Sequence, residues 1–277
     1  MDKFLYGCIY LSAAIAVSVL LMIICYVTVR GIGSVSLEFL TTVTSARKGT
    51  VGIAGNIVNT LYIIVITLVI ATPIGVGSAI YLNEYAKPGK IVRIIEFTTE
   101  TLSGIPSIIF GLFGSVFFGT TLKLGYSLLT GALTLSLMIL PLITRNTQEA
   151  LRTVPDSYRS GALGMGATKW HMIRTILLPS AMPGIITGVI LAIGRIVGES
   201  AALLFTAGSG YLLPKAGGWL SKILQSGGTL TIQLYLSSSK AEYNVAFGIA
   251  FVLLVIVLCI NFLTKYLAKR FDVTRMK

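Results

Sequence analysis

The sequence predicts an all-α protein, a bundle of six helices that cross a membrane. The mean hydropathy of the 277 residues is +0.87 and only 12% of them are charged, which excludes an ordinary soluble domain. Six apolar stretches each have the roughly 20 residues that cross about 30 Å of hydrocarbon. The stretches cover about residues 5–29, 56–82, 97–119, 126–144, 183–207 and 243–264. With no linker and no internal repeat, residues 1–277 are expected to form one transmembrane domain.

The first stretch is interpreted as a membrane span and not as a signal peptide. It is longer than the apolar region of a signal peptide and ends at Arg30 without a small-residue cleavage site. Three cysteines, Cys8, Cys25 and Cys259, lie inside apolar runs. They have neither metal-binding spacing nor a disulfide pattern, so we expect buried free thiols.

Lys and Arg residues predict the orientation of the spans. With the N-terminus inside, 14 of the 22 fall in inner segments and 7 in outer segments, while Arg195 lies within a span. The positive-inside rule then predicts that both termini are cytoplasmic. The net charge of +12 is explained by this topology and by attraction to membrane lipid, without nucleic acid as a partner.

Two outer segments and one interrupted span complete the predicted architecture. Residues 31–55 are expected to form a short helix and a turn, and residues 208–242 the longest outer segment, where an external partner would dock. Residues 104–107, Gly-Ile-Pro-Ser, interrupt the third stretch. A proline kink is expected there. The alternative is a broken helix that turns backbone N–H groups toward an anion.

A polar, basic segment separates the fourth and fifth stretches, within a loop expected at residues 146–182. Its central part, residues 158–179, reads YRSGALGMGATKWHMIRTILLP. We expect a short helix capped by Asp156 after Pro155, a break at Gly164 and Gly166, and a second helix capped by Thr168. This pattern predicts a coupling loop on which a separate motor docks; the alternative is an ordinary solvated loop.

The chain is not expected to hydrolyse ATP itself. Residues 161–166 have the glycine spacing of a phosphate loop, but Ala167 stands where that motif needs Lys, and no strand precedes it. The single histidine, His171, has no nucleophile beside it in the sequence and is interpreted as a surface contact. We therefore expect no catalytic residue, no metal site and no cofactor in this chain.

Ionisable residues within the spans are the candidates for a substrate pathway. A central Arg costs roughly 2.5–3.5 kcal/mol on insertion scales, so such groups tend to be paired and functional. Arg195 and Glu199 have the i, i+4 spacing of an ion pair on one helix face. The pair is expected either to exchange partners with a passing oxyanion or only to hold the helix bundle together. Arg145 is a second anion contact or an interfacial anchor.

Small residues predict close helix packing in the fifth stretch. Gly184 and Gly188, and again Gly194 and Gly198, have the spacing of helix-packing motifs.

The polar segment resembles the coupling signature of binding-protein-dependent ABC importer permeases. Gly166 is followed by Ile-Leu-Leu-Pro at residues 176–179, as in that signature, although Ser160–Ala162 stands where Glu-Ala-Ala is usual. Further stretches, over nearly the whole chain, resemble the permease branch of phosphate importers (PstA type). They are Leu82–Ala86, Glu96–Phe97, Gly104–Ser107, Phe110–Gly114 and Gly194–Ser200.

The resemblance implies a type I permease fold with a coupling helix in the cytoplasmic membrane of a prokaryote. It also implies contact with the ATPase at seven residues of the loop. They are Arg159, Ser160, Gly161, Ala162, Gly166, Ile176 and Pro179. The implied partners are a second permease (PstC type), a dimeric ATPase that holds ATP and Mg (PstB type), and an extracytoplasmic phosphate-binding protein (PstS type).

Three alternatives remain for the transported substrate and the mechanism. The permease would carry another oxyanion, sulfate or molybdate. A secondary, ion-coupled transporter would use Arg195 and Glu199 as a relay. A membrane sensor would need no charge in the middle of a span.

Overall fold

The computed structural model describes residues 2–45, 50–214 and 218–270, which are mainly helical. The α-helices are α1 (Asp2–Gly31), α2 (Leu37–Thr41), α3 (Ala54–Ile80), α4 (Lys90–Gly104), α5 (Ser107–Gly114), α6 (Leu128–Arg152), α7 (Asp156–Gly164), α8 (Lys169–Met172), α9 (Leu178–Gly198), α10 (Ala201–Thr206), α11 (Leu230–Ser239) and α12 (Tyr243–Arg270). Two strands, β1 (Val43–Ser45) and β2 (Thr50–Ile53), pair antiparallel. Short 3-10 turns occupy Ile32–Ser34 and Ser221–Leu224, and π-helical turns occupy Tyr81–Tyr85, Ser115–Thr121 and Ile173–Leu177.

Within the described residues, five helical units are long and apolar enough to cross a membrane. They are Phe4–Ser34, Ala54–Tyr85, Leu128–Arg152, Lys169–Gly198 and Tyr243–Tyr266. A bent pair, Lys90–Gly104 and Ser107–Thr121, supplies the sixth where the third stretch is predicted. The predicted all-α membrane fold is confirmed. We call the end of the bundle that carries α7 the α7 end, and the opposite end, with β1 and β2, the hairpin end.

Helix α6 lies at the centre of the bundle, between α3 and α9. Its side chains are buried on several faces, with Leu135 and Ile139 fully inaccessible. The hydroxyl of Thr67 on α3 donates to the carbonyl of Ala132, 3.4 Å away. A largely buried helix of this kind forms the core against which the other spans pack.

Two glycines allow α9 to pack closely on α6. A Cβ on Gly184 would lie 2.5 Å from the Cβ of Ala150, and one on Gly188 would lie 2.7 Å from the Cβ of Asn146. Such distances leave no space for a side chain, so the packing predicted for Gly184 and Gly188 is confirmed. Gly194 and Gly198 have no atom within 4 Å of an added Cβ, so they do not make such a contact within the described chain.

The third stretch, predicted at residues 97–119, is broken and not merely kinked. Helix α4 ends at Gly104, and α5 starts at Ser107 with its axis turned by 101°. Ile105 is extended, with φ −72° and ψ 131°, because the ring of Pro106 disfavours the helical conformation in the preceding residue. The predicted proline kink is therefore wrong.

The predicted coupling loop at residues 146–182 is shorter in the structure. Helix α6 continues to Arg152, and a helix runs without interruption from Lys169 to Gly198. Pro179 does not close the segment as expected. It lies inside this continuous helix, at the second residue of α9 and just after the π-helical turn Ile173–Leu177. The fifth span thus starts before the predicted residue 183, and its helix ends at Gly198 and not at residue 207.

The hairpin end is more structured than the sequence predicts. Residues 31–55 contain the expected short helix, α2, in which the Oγ of Ser36 accepts from the backbone N–H of Phe39 at 3.1 Å, and also the β1–β2 hairpin. Residues 208–242, predicted as a loop, contain α11. Parts of both segments, residues 46–49 and 215–217, lie outside the described residues.

The three cysteines are free but exposed, so the prediction that they are buried is wrong. An apolar run does not reveal which of its faces is turned to the core. In the isolated chain, α1 presents nearly all of its apolar side chains at the surface.

Candidate functional site

The segment between α6 and α9 forms the predicted helix, break and second helix. Gly166 has φ +84°, which favours glycine, and the Oγ1 of Thr168 accepts from the backbone N–H of His171 at 3.3 Å. Asp156 was expected to cap α7, but Pro155 occupies that position and Asp156 lies in the first turn. There its negative carboxylate still interacts favourably with the positive end of the α7 helix dipole.

The seven predicted coupling residues do not all face outward. Ser160, Gly161 and Gly166 are exposed, whereas Ala162 is buried. Arg159, Ile176 and Pro179 are partly buried. The structure thus brings only part of this set to the surface of the α7 end.

Apolar side chains dominate the exposed surface around α7. Met165 is 83% exposed, and Tyr158, Leu163 and Trp170 are about half exposed. A cleft of about 310 Å³ lies beside them. It is lined by Ser157, Tyr158, Gly161, Ala162, Met165 and Ile176. An apolar patch at the end of a membrane bundle is typical of a surface that contacts another protein.

Arg159 makes its bonds inside the chain. Its Nη2 lies 3.0 Å from the Oε1 of Glu84, and its Nε lies 3.2 Å from the same oxygen. Glu84 belongs to the π-helical turn that continues α3, and only 5% of its side chain is exposed. Glu84 was not identified from the sequence as a functional residue, because Leu82–Ala86 counted only toward the family resemblance. A carboxylate at the end of an apolar span was the signal that could have indicated it.

Arg145 is paired at the same end of the bundle. Its guanidinium donates to the carboxylate of Glu100 on α4, and Arg152 lies 3.9 Å from Glu96. These pairs border a polar cavity of about 330 Å³. It is lined by Leu82, Glu96, Thr99, Glu100, Arg145, Gln148, Glu149 and Arg152. About half of the Arg145 side chain remains exposed, so the ion pair is accessible from this cavity.

Arg195 and Glu199 do not form the expected pair. Helix α9 ends at Gly198, and Glu199 is extended, with φ −81° and ψ 125°. Its Oε1 accepts from the backbone N–H of Ala202 at 3.0 Å, at the start of α10. The carboxylate is therefore used to cap the next helix and is not aligned with Arg195.

Arg195 is exposed, and within residues 4–45, 50–214 and 218–266 its guanidinium has no hydrogen bond or ion pair. Gly188 lies against Asn146, and Arg195 is seven residues nearer the hairpin end. At the helical rise of 1.5 Å, Arg195 lies about 10 Å from the level of Arg145, measured along the bundle. The two arginines thus occupy successive depths of the same bundle.

A buried polar cluster stabilises the hairpin end, and no local sequence pattern indicated it. The amide of Asn59 donates to the carbonyls of Gly210 and Gly228, at 2.9 and 3.1 Å. Lys222, 1% exposed, donates to the carbonyl of Ser226 at 3.3 Å. Burial lowers the pKa of Lys222 below its ordinary value, because the protein interior disfavours the charged form.

Among the described residues, no group of three or more His, Cys, Asp or Glu side chains is arranged to hold a metal ion. Three arginines at the α7 end, Arg145, Arg152 and Arg159, are paired with carboxylates. The arrangement is suited to electrostatic contact with an anion and to docking.

Comparison with known proteins gives concordant matches. The model of a family described as "Binding-protein-dependent transport system inner membrane component" matches residues 71–273. The chain is 42% identical over 207 residues to the "Probable ABC transporter permease protein YqgI" of Bacillus subtilis, covering 75% of this chain and 70% of that protein. It is 32% identical over 265 residues to the "Phosphate transport system permease protein PstA" of Haemophilus influenzae, covering 95% and 92%.

The fold is similar to those of solved transporters. A chain of a bacterial alginate ABC transporter, in complex with a pentasaccharide-bound periplasmic protein, aligns with a TM-score of 0.72 at 15% identity, covering 98% of this chain and 96% of that one. A chain of the MetNI methionine ABC transporter in an inward-facing conformation aligns with a TM-score of 0.60 at 22% identity, covering 79% and 94%.

Proposed function

Because this chain belongs to the family of binding-protein-dependent transport system inner membrane components, we propose that it is the permease subunit of an ATP-driven importer of inorganic phosphate. The similarity to a phosphate permease over almost the full length of both chains carries this proposal. The sequence resemblance points to the same branch. Sulfate or molybdate transport is the alternative to be tested.

The α7 end is the cytoplasmic end in this proposal, and both termini lie on that side of the membrane. The distribution of Lys and Arg supports this orientation. The exposed apolar surface around α7, with Met165 and Trp170, then docks a dimeric ATPase (PstB type). ATP and Mg are bound by that subunit, and this chain supplies a transport path without an ATPase site of its own.

The substrate path runs past Arg195 and Arg145. Arg195 is an exposed guanidinium in the last turn of α9, and an unpaired charge within the bundle must face water, an anion or a partner subunit. Its planar fork is suited to the oxygens of phosphate. Arg145 lies nearer the cytoplasmic end than Arg195, and its charge is neutralised by Glu100. The anion is therefore bound less tightly at Arg145 and is released more easily.

Glu199 contributes to the transport path indirectly, by stabilising the backbone conformation beside it. By capping α10, it supports the bend that follows Arg195. A second permease (PstC type) closes the other side of the path, and a phosphate-binding protein (PstS type) delivers substrate at the hairpin end. Structural similarity to a transporter solved with its periplasmic protein supports this arrangement.

The proposal is tested by purifying the complex with its partners and measuring ATP hydrolysis. Binding protein loaded with phosphate should stimulate hydrolysis, whereas protein offered sulfate or molybdate should not. Equal or greater stimulation by sulfate or molybdate would contradict the assignment of phosphate. Uptake without ATP that is driven by an ion gradient would support a secondary transporter instead.

A further inference from the structure

A single, partly buried guanidinium connects α7 to two membrane spans. Arg159 donates through Nε and Nη2 to the Oε1 of Glu84, at 3.2 and 3.0 Å, and thereby attaches α7 to the end of α3. The amide of Asn83 donates to the same oxygen at 2.8 Å. With 19% of the Arg159 side chain and 5% of the Glu84 side chain exposed, water competes little for this pair.

The other donors of Arg159 reach the end of α6. Nη2 donates to the carbonyl of Leu151 and Nη1 to that of Val154, each at 2.9 Å. Leu151 lies in the last turn of α6 and Val154 just beyond it, where few intrahelical donors remain, so the guanidinium adds a strong donor to each carbonyl. Only arginine offers this many donors in a planar fork, and a lysine could make only some of these hydrogen bonds.

A second contact attaches the start of α8 to the same turn. Lys169, which starts α8, donates from Nζ to the backbone carbonyl of Glu84. Its ammonium also lies 4.9 Å from the centroid of the Tyr85 ring. The Tyr81–Tyr85 turn is therefore bonded to α7 through Arg159 and to the start of α8 through Lys169.

We infer that Arg159 and Glu84 form a mechanical joint that passes a movement of α7 to α3 and α6. The inference rests on the proposed function, because it assumes that a motor moves α7. Both residues are positioning residues, and Arg159 acts through Glu84 and the α6 carbonyls. The ATPase contact of Arg159 that the resemblance implies stays a prediction beside this role.

The test uses the complete complex and compares Glu84→Gln and Arg159→Lys with the parental protein. Glu84→Gln keeps the shape and removes the negative charge, while Arg159→Lys keeps the positive charge and removes the fork. Asp156→Asn is the matched control, because Asp156 bonds the same guanidinium at 3.0 Å but its side chain is 98% exposed.

The measured quantity is the number of phosphate ions taken up per ATP hydrolysed by the assembled complex in proteoliposomes. We expect this ratio to fall about tenfold in both variants, the factor that corresponds to loss of one charge-assisted hydrogen bond. Co-purification with the ATPase should persist, and Asp156→Asn should keep the parental ratio. A purely structural pair would lower the yield of complex and leave the ratio unchanged.

An unchanged ratio in both variants would overturn the joint. So would loss of ATPase binding in both variants while Asp156→Asn still assembles, because the pair would then serve docking. The ratio is measured with whichever oxyanion stimulates the parental complex, so an error in the assignment of phosphate does not alter the result. A parental complex stimulated by no oxyanion would contradict the proposed function and, with it, the joint.

Discussion

Gly188 on α9 lies directly against Asn146 on α6, and a Cβ on the glycine would come within 2.7 Å of the asparagine Cβ. This contact holds the helix that carries Arg195 against the helix that carries Arg145. The relative depth of the two arginines is thus set by glycine packing.

Gly188→Ala should weaken the contact between α6 and α9. The added methyl group has no space, and overpacking of this kind typically costs about 1–3 kcal/mol. We expect a lower melting temperature of the purified protein. Gly77→Ala is the matched control, because a Cβ at Gly77 meets no atom within 4 Å. Equal melting temperatures for the two variants would contradict the described packing.

Met165→Glu should prevent binding of the ATPase while leaving membrane insertion intact. Met165 is 83% exposed in the apolar patch around α7, and a carboxylate buried there on docking would lose its hydration. Co-purification of the ATPase measures the effect. Leu37→Glu changes an equally exposed side chain, 82%, at the hairpin end and should keep the ATPase bound. Binding of the ATPase by the Met165→Glu variant would contradict the proposed docking surface.

Cysteine labelling should show opposite sides for Ser160 and Ser238, which are both exposed in the structure. In a background without Cys8, Cys25 and Cys259, a membrane-impermeant thiol reagent added to intact cells should label Ser238→Cys. Ser160→Cys should react only after the membrane is opened. Labelling of Ser160→Cys from outside would invert the proposed orientation.

Lys222→Met should reveal a pH-dependent contribution to stability. Burial lowers the pKa of Lys222 from its ordinary 10.5, so below the lowered value both folded and unfolded chains carry the proton and the burial penalty is complete. As the pH rises toward 10.5, the folded protein releases the proton while the unfolded chain keeps it. Stability of the parental protein therefore rises in this window.

The melting temperature of the parental protein, measured against that of Lys222→Met, should accordingly increase from about pH 7 to about pH 10. Lys240→Met removes an exposed lysine at the same end of the bundle and serves as the control. A difference that stays constant over this range, or that shrinks, would show that Lys222 is not a desolvated cation.

Local patterns explain what the sequence predicts well. Apolar length identifies the spans, while Gly166 and Thr168 mark the break and the cap beside α7. These features depend on residues close together in the chain, so a single sequence contains the necessary information.

Features that depend on distant residues were missed. Arg159 bonds Glu84, 75 positions away, and no local pattern links the two. The spacing of Arg195 and Glu199 is helical, yet the helix ends between them. There Glu199 caps α10, which packs so closely on α5 that a Cβ on Gly111 would lie 2.8 Å from the Cα of Ala202. That contact overrides the helical spacing.

Arg195 provides the most direct test of the phosphate path. Arg195→Gln keeps hydrogen-bonding capacity but removes the only charged side chain of α9, which lies in its last turn. Arg195→Lys restores the charge without the planar fork and should recover only part of the activity. Arg30→Gln, on α1, removes an arginine charge away from α9 and serves as the control.

The decisive measurement is ATP-driven uptake of radioactive phosphate into proteoliposomes that contain equal amounts of assembled complex. We expect rapid uptake by the parental protein and by Arg30→Gln, intermediate uptake by Arg195→Lys, and a loss of about tenfold or more for Arg195→Gln. Phosphate uptake by Arg195→Gln at the parental rate would contradict the assignment of Arg195 to the transport path.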